Sequence, residues 1–375
     1  MPARRCSHAR PVYCRRVTRI VAARGAVPPH CYDQATITDA FGEIVLTSPD
    51  RRRVLERLHE ATGVRTRHLA LPLEDYARLA DFGAANDVFL DVAVELGERA
   101  VRDALAAAAL DAADVDVLVS TTVTGLAVPS IDARLVARLG LRPDVRRVPL
   151  FGLGCVAGAA GIARVHDMLL GHPDAVAVLL SVELCSLTVQ RDDESLANLV
   201  ASGLFGDGAA AVVLVGERRA ATLGLLDGPH PPPRVVDSRS TFYPDTERVM
   251  GWDIGGSGFR IVLAASVADV VEAHLGDNIE DFLARHELKT VDVAHWIAHP
   301  GGPKVLRALQ RTLELSDGAL DVTWHSLADV GNLSSSSVLQ VLATTLAQRP
   351  TGTREPAVML AMGPGFCSEA VLLSW

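Results

Sequence analysis

The sequence predicts an α/β fold made of two duplicated halves, because three stretches recur in the same order at an offset of roughly 180 residues. Val115–Val117 before LVSTTVTG matches Val291–Val293 before AHWIAHPGG, each an apolar strand running into a polar loop with glycine. GLGCVAGAAGIARVHDMLL from Gly152 matches GNLSSSSVLQVLATTLA from Gly331, each with a small polar residue after a glycine turn at the head of a helix. AVAVLLSVELCS from Ala175 matches AVMLAMGPGFCSE from Ala357, both strand-like runs of β-branched and long apolar residues. Order and spacing preserved together imply a repeated unit of strands and helices, two copies of which pack on one core. If a pseudo-twofold axis relates the copies, Cys155 and Asn332 stand at equivalent helix heads and converge on one cavity.

Along the chain, residues 1–16 are basic and carry no carboxylate, yet lack the apolar core of a secretory signal, so a disordered arm is expected. The strand-like VTRIVAARG comes next. Ser48 is placed to cap a helix with Pro49 at its first position, RRRVLERLHEAT as its body and Gly63 as its stop. GPHPPP, residues 228–233, suits neither helix nor strand and marks the boundary. The expected units are thus 17–228, carrying the nucleophile, and 229–375, carrying its partners.

Composition narrows the function. A chain of 375 residues, 49% apolar and 22% charged, has the balance of a packed globular protein. Its net charge of −9 argues against nucleic acid or an anionic membrane as the main partner, so an anionic ligand needs local basic residues. No stretch approaches the length of apolar sequence that spans a bilayer, the best being Ala175–Val182. The 6 cysteines include no CxxC pair and suit a reducing cytoplasm. His295 and His299 have HxxxH spacing, but the glutamate of HExxH is missing and the segment reads as strand, so no metal is expected.

Cys155 is the best nucleophile candidate. It lies in a run of glycines and alanines that would let a long substrate approach the sulfur, at a helix start whose free N–H groups favour thiolate. The alternative is a small buried residue in a tight helix. His299 ends the strand-like VDVAHWIAH, where a rigid element can aim a side chain into a cleft. Asn332 is either a helix cap or an oxyanion donor facing His299. A Cys–His–Asn set serves amide hydrolysis or acyl transfer through a thioester. Duplicated glycine-rich α/β halves favour a closed apolar cavity, hence acyl transfer. Arg53 and Arg57, four residues apart, are a solvated helix face or a grip for coenzyme A phosphates.

FGLGCVAGAAG around Cys155, LFGDGAAAVVL from Leu204, AHPGGPKVL around His299, GNLSSSSVL around Asn332 and MGPGF from Met362 together resemble the bacterial type III polyketide synthases, chalcone-synthase-like members of the thiolase superfamily. The resemblance covers the chain from about Val17 to Trp375 and implies an αβαβα-layered subunit, a homodimer, and acyl-CoA and malonyl-CoA as substrates without a further cofactor. It implies Cys155 as acyl carrier, His299 as its ion-pair partner and base, and Asn332 as oxyanion donor. Phe205 matches a gatekeeper phenylalanine, and Ile261 takes the place of a second one. Met362 lies in AMGPG where the family has GFGPG, while Thr124, Cys185 and Thr188 are expected along an acyl pocket. Arg57 matches a basic residue that the family uses for coenzyme A. The other expected basic positions fall on Val54 and Ala61, leaving Arg51, Arg52, Arg53 or Lys304, with Gly301 and Gly302, to complete that site. FGLGCVAGAAG, TTVTGLAVPS, WDIGGSGFRI and AMGPGFCSE are spelled like the alkylresorcinol and alkylpyrone branch, which implies a long-chain starter, as does a throat made less aromatic by Ile261 and Met362. The alternatives are a naphthalene-type synthase using malonyl-CoA alone and a priming-type ketoacyl synthase performing a single condensation.

Overall fold

A computed structural model describes residues 17–191, 193–227, 230–348 and 355–375. The basic arm, with Cys6 and Cys14, and the first two residues of the proline-rich boundary lie outside these. Nine strands form one sheet, ordered His295–Ala298, Pro356–Gly363, Cys367–Ser374, Arg234–Phe242, Thr18–Ala26, Asp207–Gly216, Val176–Leu184, Val117–Thr122 and Arg146–Phe151.

That order contains its own repeat. Val117–Thr122 runs parallel to Val176–Leu184, which is antiparallel to Asp207–Gly216, itself antiparallel to Thr18–Ala26. In the second half His295–Ala298 runs parallel to Pro356–Gly363, beside which lie antiparallel Cys367–Ser374 and Arg234–Phe242. Short pairing of Thr18 with Val235 and Arg19 with Arg234 joins the halves. Arg146–Phe151 is the extra edge strand of the first half.

Alternate side chains on each strand enter different cores, as the pleat dictates. Val178, Leu180 and Val182 meet the long helix Phe82–Ala108, while Ala177 and Leu179 face the helix Ala157–Gly171. From the other half Ile297, Met359 and Val371 join that central core with the helix Ser335–Gln348. Val358, Leu360 and Leu372 point away, toward Val267–Ala284 and Pro303–Thr312. The result is the α/β layering expected of a thiolase-like fold, with two buried helices at its centre. Covered on both faces, Val176–Leu184 is buried at every position, which explains why it is apolar apart from Ser181 and Glu183.

The expected helix at Ser48 begins later than its punctuation implies. Ser48 Oγ accepts from Asp50 N at 3.3 Å, capping the 3-10 turn Pro49–Arg51, and the α-helix covers Arg52–Ala61. A 3-10 turn is a common first turn of an α-helix. Among the described residues no helix is long and apolar enough to cross a membrane.

Candidate active site

The sharp turn Gly154–Val156 delivers Cys155 to the start of the helix Ala157–Gly171. Gly154 has φ +57°, and a Cβ there would sit 2.7 Å from the Pro364 ring, so only glycine fits. The small-residue run does not clear a path to the sulfur, as its spelling suggested. A Cβ on Gly158 would lie 2.4 Å from the Ser335 carbonyl oxygen, and one on Gly161 would lie 2.6 Å from Leu179. These glycines let one buried helix touch the other and the sheet.

His299 directly follows His295–Ala298 and is held at both backbone groups. Its N–H donates to the Leu360 carbonyl at 2.8 Å and its carbonyl accepts from Gly301 N at 2.8 Å. Asn332 is pinned by a bridge to Phe205: its N–H donates to the Leu204 carbonyl at 2.9 Å, and its carbonyl accepts from Gly206 N at 3.0 Å. Ser334 N donates to Asn332 Oδ1 at 2.8 Å, a turn that stops short of the helix Ser335–Gln348. The side chain therefore turns its own loop, and its amide N–H groups have no hydrogen-bond partner among the described residues.

These three residues line one small cavity of about 50 Å³, together with Phe205, Ile261, Met362 and Gly301. Trp252, Met250 and Pro364 complete its apolar wall. Thr124, Cys185 and Thr188 do not line it. Thr124 Oγ1 donates to Glu183 Oε2 at 2.9 Å and accepts from Leu184 N, and the residue borders a separate cavity of about 720 Å³ beside Tyr76 and Phe82. Thr188 Oγ1 donates to the Cys185 carbonyl at 2.7 Å, which closes a buried turn on itself. Arg53, Arg57 and Lys304 are exposed, and Gly302 opens the helix Pro303–Thr312 at φ +122°. Arg51 is tied to Glu194, and Arg52 to Asp39, Glu43 and Glu56. Among the described residues Arg53 and Arg57 have no carboxylate partner.

Burial sets the electrostatics. It pushes the Cys155 thiol up to about 12, with the Glu183 carboxylate adding to the rise and a hydrogen bond with Ser334 opposing it. It pulls His299 down to about 3. The thiol donates to Ser334 Oγ at 3.6 Å, and His299 Nδ1 is buried with no partner. Each group alone is thus neutral at pH 7.

Two groups escaped sequence reasoning. Glu183 is fully buried, its carboxyl raised by burial, and it accepts from Val123 N at 3.0 Å, Thr124 and Ser335. A carboxylate between Val182 and Leu184 in an apolar strand was the available signal, since such a group must find donors. Ser334 gave none, being one of four consecutive serines.

A thiol, an imidazole and an amide around one largely apolar cavity are a set suited to acyl transfer through a thioester. Comparison with known proteins agrees. Residues 7–218 match the N-terminal domain of chalcone and stilbene synthases, and residues 234–374 match their C-terminal domain. The chain is 56% identical over 363 residues to the 1,3,6,8-tetrahydroxynaphthalene synthase of Streptomyces peucetius subsp. caesius, covering 96% of this chain and 94% of that one. It is 33% identical over 319 residues to the enzyme of the same name from Streptomyces coelicolor, covering 85% and 82%. The crystal structure of tetrahydroxynaphthalene synthase from Streptomyces coelicolor A3(2) superposes with a TM-score of 0.87 at 30% identity, over 95% of this chain and 99% of that one. With both domains matched in order around a Cys–His–Asn cavity, the chain belongs to the chalcone and stilbene synthase family, the type III polyketide synthases.

Proposed function

We propose that this enzyme takes malonyl-CoA as both starter and extender and cyclises the product to a naphthalene-type polyphenol. The observation that carries this is the 56% identity to a tetrahydroxynaphthalene synthase across nearly the whole chain. The long-chain, alkylresorcinol-type reading is corrected accordingly. It rested on four short spellings, FGLGCVAGAAG among them, and on a throat made less aromatic by Ile261 and Met362; Thr124, Cys185 and Thr188 lie outside the cavity that holds Cys155, Thr124 bordering the larger one.

In this reading the Cys155 thiol gives its proton to His299, and the thiolate attacks the thioester carbonyl of malonyl-CoA. The coenzyme A thiolate leaves and takes the proton from His299. A second malonyl-CoA loses CO2, and the enolate left behind is held by His299 and the Asn332 amide, donors aimed at developing charge in a dry site. The enolate carbon attacks the Cys155 thioester, the sulfur leaves, and the longer chain returns to it. Phe205 stands at the cavity wall as gatekeeper, while Arg53, Arg57 and Lys304 hold the coenzyme A phosphates outside. The homodimer implied by the resemblance and the cytoplasmic setting suggested by the cysteines belong to the same reading.

The test is mass spectrometry of products from purified protein given malonyl-CoA alone, then with acyl-CoA starters of rising length. One aromatic product of fixed mass, formed without a starter, is the expected outcome. Products that require a starter and grow with its chain would refute the proposal.

A further inference from the structure

The largest fully buried polar side chain is not in the cavity. Arg67, on the strand Thr66–Leu69, has no exposed surface. Its Nε donates to Gln34 Oε1 at 3.1 Å and its Nη1 to the Phe205 carbonyl at 2.7 Å, while Nη2 is buried with no partner. Gln34 in turn donates from Nε2 to the Gly203 carbonyl at 2.7 Å. The helix Leu196–Leu204 therefore ends with three successive carbonyls, each given its own donor: Gly203 by Gln34, Leu204 by the Asn332 N–H, and Phe205 by Arg67.

Such carbonyls have no partner within a helix, and a cation beside them is favoured by the helix dipole. Here the donors also fix the chain beyond the helix. The Phe205–Asn332 bridge uses the middle of these carbonyls, that of Leu204, flanked by the two that Gln34 and Arg67 hold, and a Cβ on Gly331, at φ +75°, would lie 2.9 Å from the Leu204 oxygen and 3.1 Å from Arg67 Cδ. The Arg67 stem is thus packed against the residue that precedes Asn332. The nearby Asp207 carboxylate is committed to Ala70 N and Ser186 and makes no hydrogen bond to the guanidinium. Burying a guanidinium with one donor unpaired is a poor route to stability. Its planar fork, reaching two acceptors at fixed angles, is a good route to position.

We infer that Arg67, together with Gln34, is a positioning residue that clamps the Gly203–Phe205 carbonyls and thereby sets where the Asn332 amide and the Phe205 ring meet the substrate. The inference rests on the proposed role of Asn332 in holding the enolate. It predicts that loosening the clamp damages decarboxylation while leaving Cys155 reactive, because Cys155 is carried by the other buried helix.

The experiment compares Arg67→Lys, Gln34→Leu and Asn332→Ala with the unaltered protein. Three quantities are read: kcat and KM for CO2 release from malonyl-CoA, the rate of Cys155 alkylation by iodoacetamide, and the melting temperature. Arg67→Lys keeps a charge but loses the fork. It should lower kcat about 10- to 100-fold, as displacement of a catalytic group by an ångström does, with KM and alkylation nearly unchanged. Gln34→Leu should show the same pattern more weakly, and it decides the matter if Arg67→Lys does not fold. Unchanged kcat, or kcat and alkylation falling together, would overturn the clamp. Asn332→Ala separates the two claims. If it decarboxylates normally, the proposed role of Asn332 is wrong; if it fails while both clamp variants work, only the clamp is wrong.

Discussion

The two buried helices occupy equivalent places in the duplicated halves, yet their heads differ in every respect that matters to chemistry. Ala157–Gly171 begins with a tight glycine turn and one thiol, among side chains with no hydrogen-bonding groups. Ser335–Gln348 begins with hydroxyls that reach into both halves: Ser335 and Ser336 meet Ser181 Oγ at 2.7 Å, and Ser337 accepts from Leu333 N at 2.7 Å. One head presents a nucleophile with minimal support, and the other holds an amide by a dense polar lattice. The lesson is a division of labour. A thiol that must attack and leave repeatedly gains from few fixed bonds, whereas a donor for transient charge gains from being immobile before the charge appears.

The sharpest way to break that comparison is to delete each head group. Cys155→Ala should abolish chain extension, a loss of about 10⁴-fold or more, while still releasing CO2 from malonyl-CoA. Asn332→Ala should do the reverse, keeping Cys155 open to alkylation and losing about 10²- to 10³-fold in decarboxylation. Loss of CO2 release in Cys155→Ala, or loss of Cys155 alkylation in Asn332→Ala, would dissolve the division.

A smaller effect sharpens it. Burial pushes the Cys155 thiol up, so a thiolate at pH 7 needs a group that takes its proton, the part proposed for His299. His299→Ala should therefore slow iodoacetamide labelling about 100-fold or more at pH 7 and move its rise to alkaline pH, whereas the unaltered pair reacts at neutral pH. Profiles that coincide would show that the histidine does not share the proton.

The smallest effect concerns the scaffold. Gly158→Ala brings a methyl against the Ser335 carbonyl and should cost about 2 kcal/mol in denaturant unfolding. Gly171→Ala, at the other end of the same helix, meets nothing within 4 Å and should be neutral or mildly stabilising.

Much of the fold is legible in the sequence alone. The three recurrences correspond to equivalent strands and to the two central helices, because burial on both faces leaves a long apolar imprint on sequence. Cys155, His299 and Asn332 stand out because each ends a recognisable element beside glycine, and the cavity gathers all three. The features that escape are set by distances between remote segments. The glycines at 154 and 158 read as clearance but serve contact, since the atoms they accommodate, Pro364 and Ser335, lie nearly half the chain away. Thr124 reads as pocket lining, yet its hydroxyl is engaged by Glu183 and Leu184, which no local pattern around residue 124 announces.

The pairing of the halves also orders events in the life of the molecule. Ribosomes deliver Cys155 long before His299, Asn332 or the strand Pro356–Gly363 that holds His299 in place. A chain interrupted between them carries the thiol but neither of the two polar groups that share its cavity. On the proposed mechanism, reactivity toward thioesters is then conditional on the second half, whose contacts with the first are long-range in sequence.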